Sequence, residues 1–176
     1  MSKETVTQDY SKIISEFKDM LEIAPLGDID EAHLSGGWEL VGENFCLKIK
    51  AINRPLGIFV KYFSPVVGEY AQKTYNSLKE LTQIEHLPFP ILLPETLCEG
   101  ALVFKAGEYR FTMKFSDLDP EVAGEMTKIV VGSGLKPLKR FDRLDVVEVE
   151  GNKYLVDPIE DSEYSISLYR ESNKLV

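Results

Sequence analysis

Few side chains in this sequence have both the type and the setting for chemistry, and the first of them is a lysine. Lys61 stands inside an otherwise apolar run, Gly57-Ile-Phe-Val-Lys-Tyr-Phe63. Taken alone, it is a strand lysine whose stem packs while its ammonium reaches solvent or a carboxylate. Three acids lie much later in the chain. Asp142 and Asp145 balance Arg140 and Arg143 on a basic loop. Asp157, ahead of Pro158, has the place of a strand-ending turn residue. Cys46 and Cys98 fall in apolar strand patterns and read as buried thiols of a reducing compartment. A zinc site from Cys46, Cys98, His33 and His86 would need four scattered residues to converge without any C-x2-C pair. Neither histidine has neighbours for a catalytic triad, and no G-x-S-x-G elbow is present. His86 is expected at a helix end, where its charged form gains from the helix dipole.

The bulk composition bounds the partners. Twenty lysines and arginines face 29 acids, a net charge of −9, so phosphate backbones and anionic lipid are repelled unless a local patch reverses the sign. The densest basic group, Lys136, Lys139, Arg140 and Arg143, is interrupted by Asp142. Nucleic-acid binding is disfavoured on these grounds. No leader segment opens the chain and no apolar run reaches spanning length, which predicts a cytoplasmic protein with no membrane association. A chain of 176 residues is long enough for one domain with its own core.

The elements follow from periodicity and breakers. Residues 1–8 are polar and are expected to fray. Ile13, Phe17 and Leu21 recur at helical spacing across residues 9–24, and Pro25 and Gly27 stop that helix. Strands over 38–41 and 45–52 flank a compact connection, Gly42-Glu43-Asn44. The run over 57–63 is apolar on both faces except at Lys61, so it belongs in the middle of a sheet. Ser64-Pro65 opens one long helix over 65–87, whose stripe is Val67, Ala71, Thr74, Leu78 and Leu81. Leu87-Pro-Phe-Pro90 then forces an extended exit. Strands are expected over 91–98, 101–106 and 109–115. Asp119-Pro120 opens a helix near 120–131, which Gly132-Ser-Gly134 stops. Residues 144–150 and 153–157 pair around a Gly151-Asn152 turn. Residues 163–170 alternate as a last strand at a sheet edge. The fold class is therefore α+β, a single domain of mostly antiparallel sheet packed by the 65–87 helix.

This order, with a lysine in the third strand and a proline-bounded helix exit, resembles the small lobe of protein-kinase-like folds. Ile58-Phe-Val-Lys61 looks like the strand that carries the ATP-contacting lysine there. Leu78-Lys-Glu-Leu81 through Pro88-Phe-Pro90 looks like the helix exit of small-molecule kinases of that fold. Tyr154-Leu-Val-Asp157 resembles the strand end with the metal-binding aspartate, and Asp142 or Asp145 falls where the catalytic aspartate stands. The resemblance implies ATP and Mg as ligands. Lys61 would meet the phosphates, Glu80 or Glu69 would pair with that lysine, and Asp157 would hold magnesium. Asp142 or Asp145 would orient the attacking hydroxyl. It covers the order of elements over residues 38–158 and implies a minimal or degenerate member. No G-x-G-x-x-G or H-R-D is present, Val147 stands five residues after Asp142 in place of an asparagine, and Pro158 follows Asp157.

A second expectation stands beside it. The acidic chain, lacking any complete catalytic motif, also fits a non-enzymatic interaction or assembly protein, such as a phage or bacterial accessory subunit. Its partner would be another protein, or a second copy, reached by strand addition through residues 163–170. A small-ligand carrier closed by the 65–87 helix is a third arrangement, with no polar constellation behind it.

Overall fold

Apolar alternation and two helical stripes build the computed structural model, which describes residues 15, 38–41, 57–63, 69–98, 100–104, 107, 109–115, 118–138, 144–156, 158–160 and 165–171. The expected helix over 9–24, save Ser15, and the expected strand over 45–52 lie outside these residues. The described strands are β1 (Trp38–Val41), β2 (Gly57–Phe63), β3 (Thr96–Cys98), β4 (Ala101–Val103), β5 (Tyr109–Phe115), β6 (Leu144–Val149), β7 (Asn152–Val156) and β8 (Ser165–Glu171). The helices are α1 (Glu69–Leu81) and α2 (Pro120–Gly132). This is an α+β fold with antiparallel strand pairing. The strands divide into two sheets rather than one, a five-stranded sheet in the order β1-β8-β2-β4-β3 and a three-stranded sheet in the order β5-β6-β7. No helix among the described residues is long and apolar enough to cross a membrane.

β2 takes the middle place that its two-sided apolar pattern predicts. Val60 and Tyr62 face Val103 and Ala101 of β4, and all four are buried. Lys61 and Phe63 point to the opposite face, and they are buried too. A strand covered on both faces belongs inside a sheet.

The C-terminal strand departs from expectation. β8 is not at an edge: it pairs with β1 on one side and with β2 along the whole of β2 on the other. Residues 167–170 are paired on both sides, so that part of β8 has no open backbone edge for strand addition. Its alternation of apolar and polar residues suits an edge strand equally well, and only the long-range pairing decides the matter.

The long helix is also shorter than its stripe. α1 covers 13 residues and ends at Leu81. Residues 64–68 lie outside the described set, and 82–87 form turns. The Thr82 hydroxyl donates to the Lys79 carbonyl, while Ile84 stays buried beyond the helix end. A buried residue at helical spacing thus extends the apolar pattern past the last helical turn. Similarly, the strand expected over 91–98 is split. Ile91 makes an isolated bridge to Leu155, Pro94 lacks the N–H a ladder needs, and pairing resumes only at Thr96.

α2 has both its signals in place. The Asp119 side chain accepts from the Glu121 N–H at 2.8 Å, and Pro120 fills the first helical position. At the other end, Leu135 N–H donates to Val130 O and Gly134 N–H to Val131 O, with Gly134 at φ +77. This is the paired-bond C-terminal motif that calls for glycine, sealed by burial of both Val130 and Leu135. A Cβ at Gly134 would meet only the Lys73 Nζ at 3.8 Å, an ordinary contact. Gly134→Ala is therefore expected to cost about 1–2 kcal/mol through the backbone alone. Gly124→Ala, inside α2 with open space around it, should instead add up to about 1 kcal/mol. Urea unfolding of the two variants gives shifts of opposite sign.

The β6–β7 hairpin turns one residue earlier than its sequence suggests. Val149 pairs with Asn152, leaving Glu150-Gly151 as the two-residue loop with φ of +52 and +83. Positive φ at both positions is the turn type that favours Asn-Gly. Glu150→Asn is expected to raise stability by about 1 kcal/mol, read as a higher unfolding midpoint.

One apolar cluster joins the layers. It runs from Phe63 and Leu102 through Leu78 and Leu81 of α1 to Met126 of α2 and Leu155 of β7.

Candidate functional site around Lys61

Strand pairing fixes which way Lys61 points. Its cross-strand neighbour on β4 is Leu102, and directly opposed residues share a face. Phe63, two residues on, shares that face too, and the Lys61 Nζ lies 5.7 Å from the centre of its ring. α1 is the helix laid over this face: it touches β2, β3 and β4, and its Ala71, Leu78 and Leu81 join Phe63 and Leu102 in the core. Lys61 is 2% exposed and is the one lysine, arginine, histidine or acid in the buried set among the described residues. Burying an ammonium costs several kcal/mol before its partners are counted. A desolvated ring beneath the charge returns about 2 kcal/mol of that.

The buried side of α1 holds two further polar groups. Thr74 and Ser77 are both 0% exposed, one helical turn apart, and neither hydroxyl meets a hydrogen-bond partner. Elsewhere in the chain such hydroxyls turn back onto their own helix. Thr127 donates to Ala123 O at 2.8 Å, and Ser133 to Ile129 O at 3.0 Å. Each unmade bond in the core costs about 1–3 kcal/mol. The sequence reading took Thr74 only as part of a packing stripe and passed over Ser77. Hydroxyls three apart within an apolar stripe are the signal that finds them.

The later carboxylates are approached through the backbone. Asp142 and Asp157 lie outside the described residues, but the segments on either side of them are set. Pro137 bridges Ile159, Leu138 N–H donates to Pro158 O at 3.3 Å, and Glu160 N–H donates to Lys136 O at 2.8 Å. These bonds clamp residues 136–138 against 158–160. Beyond the clamp stands the β6–β7 hairpin, with Asp145 opposite Val156 at its open end and opposite Lys114 on β5. In sequence, both Asp142 and Asp157 fall between the clamp and that open end.

The other candidates separate from this core. Glu80 is exposed on α1, and so is Glu69 in its first turn, while Lys61 is buried. His86 lies five residues past the helix end at φ +64, exposed, with its Nε2 3.9 Å from Glu85. The helix dipole fades within the last turn, so it does not act on His86 as the longer helix implied. Cys98 is in no disulfide and is only partly buried, at the edge strand β3; Cys46 and His33 lie outside the described residues. No group of three metal-ligating side chains is found among the described residues.

No family model, curated protein or solved structure matches this chain. Its chemistry has to be read from its own residues. The buried polar side chains among the described residues are the Lys61 ammonium and the Thr74 and Ser77 hydroxyls.

Proposed function

We propose that this chain is a minimal kinase-like protein that binds ATP with magnesium, its phosphates against Lys61. The observation behind the reading is a buried ammonium on the middle strand of a sheet, beneath the helix that follows that strand in sequence. Nothing in apolar packing needs a charge there. In this reading Lys61 neutralises the phosphates and Asp157 holds the magnesium. Asp142 or Asp145 orients an acceptor hydroxyl for phosphoryl transfer. Lys61 is buried, so in this reading nucleotide reaches it only when α1 moves away from β2.

Thermal melting with and without MgATP tests the reading. Saturating nucleotide should stabilise the native chain by about 2.7 kcal/mol at one hundred times the dissociation constant. Lys61→Met, which keeps the packed stem and removes the charge, should lose that gain. An equal gain in both proteins would contradict the role of Lys61. A second reading rests on the low exposure of Lys61 and the exposure of Glu80: the lysine is structural, and the chain works by contact with another protein. MgATP then leaves both melting temperatures unchanged, and light scattering of the native chain finds self-association or the need for a partner.

A further inference from the structure

α1 is held to the core unevenly along its length. Its two large buried residues, Leu78 and Leu81, both stand in its last turn, and Ile84 extends that anchor past the helix end. The buried residues of the earlier turns are Ala71, Thr74 and Ser77. Tyr70 and Tyr75 pack against the core from its rim and stay half-buried. Since packing of an apolar face is what seats a helix in a protein, the seat of α1 lies at its C-terminal end. α2 has the same length of 13 residues, yet its buried Val122, Met126 and Val130 are spread along the whole helix.

The hydroxyls deepen this imbalance. Thr74 and Ser77 are 0% exposed and neither oxygen has a hydrogen-bond partner, whereas the Thr127 hydroxyl of α2 donates to Ala123 O. A hydroxyl buried without a partner has lost its water and replaced it with nothing, so it favours a state open to solvent. Opening the early turns of α1 rehydrates both oxygens and gives up little apolar burial of the helix itself.

We propose that residues 69–77 of α1 form a flap, which opens from the core about the Leu78–Leu81 end while the sheets and α2 stay folded. It is a local unit of low stability, set by where the leucines and the hydroxyls fall in the sequence. The flap stands without the nucleotide reading, although that reading needs a movement of α1 to reach Lys61.

Amide hydrogen exchange of the full chain, followed by NMR without ligand, tests the flap. Residues 73–77 of α1 and 124–128 of α2 hold matching places in helices of equal length, so they are compared directly. The amides of 73–77 should be protected about tenfold less than those of 124–128, with little dependence on urea, as a local opening requires. Thr74→Val and Ser77→Ala should each raise the protection of 73–77 by about tenfold, because each removes a buried group that lacks a partner. Thr74→Val is the stricter variant, since valine keeps the branching of threonine and has a similar helix propensity. Equal protection of the two helices, a urea dependence matching that of the β2 amides, or no gain in either variant would overturn the proposal. No nucleotide enters these measurements, so a chain that ignores MgATP but shows this exchange pattern keeps the flap and loses the nucleotide reading.

Discussion

Ending the chain at Glu163 is expected to abolish cooperative unfolding. The truncation removes β8, and with it the ladders to both β1 and β2, so edge strand β1 loses its partner in the sheet and central β2 loses one of its two. Each ladder bond is worth about 1 kcal/mol net, against a total stability of about 5–15 kcal/mol for a domain. A milder version is Leu168→Pro. Leu168 is opposite Leu40 on one side and Val60 on the other, so a proline there disturbs both ladders and should cost about 3 kcal/mol or more. Urea titration followed by far-ultraviolet circular dichroism reads both. A sharp transition near the native midpoint in the truncated chain would mean that β8 is dispensable, as an edge strand would be.

The second large effect is expected at Phe63. Its ring is fully buried beneath α1, and it lies under the Lys61 ammonium. Phe63→Ala should cost about 3–5 kcal/mol, the sum of lost burial and the cavity left behind. Phe63→Leu keeps most of the volume and should cost less. Because the ring also faces the charge, Phe63→Leu and Lys61→Met should not be additive. A double-mutant cycle is expected to give a coupling of about 1–2 kcal/mol. Additivity within about 0.5 kcal/mol would mean that the ammonium and the ring do not interact.

Local signals carried much of this fold into the sequence, and non-local ones did not. β5 is found at the residues its alternation implies, and the cap at Asp119 and the stop at Gly134 place α2 to within a residue. β2 is central because a strand apolar on both faces has nowhere else to go. The errors share a cause: a local pattern continued past the element it described. Ile84 kept the stripe of α1 alive beyond Leu81, and Gly151-Asn152 resembled a turn while Glu150 took the positive φ instead. The position of β8 was illegible for a different reason. Inserting the last strand between β1 and β2 is a pairing across most of the chain, and no window of sequence encodes it. At the site, Lys61 was legible as a polar residue in an apolar run. Thr74 and Ser77 were not, because small hydroxyl residues sit in helical stripes without announcing that their oxygens lack partners.

The most direct test of phosphate binding at Lys61 is chemical labelling with an ATP acyl phosphate. A lysine amine held beside the bound phosphates attacks the acyl carbon, forming an amide and releasing ATP, and peptide mapping then locates the amide. The expected result is labelling of Lys61, suppressed by excess MgATP. Labelling confined to surface lysines such as Lys79 and Lys153, with no protection by MgATP, would contradict a nucleotide site beneath α1.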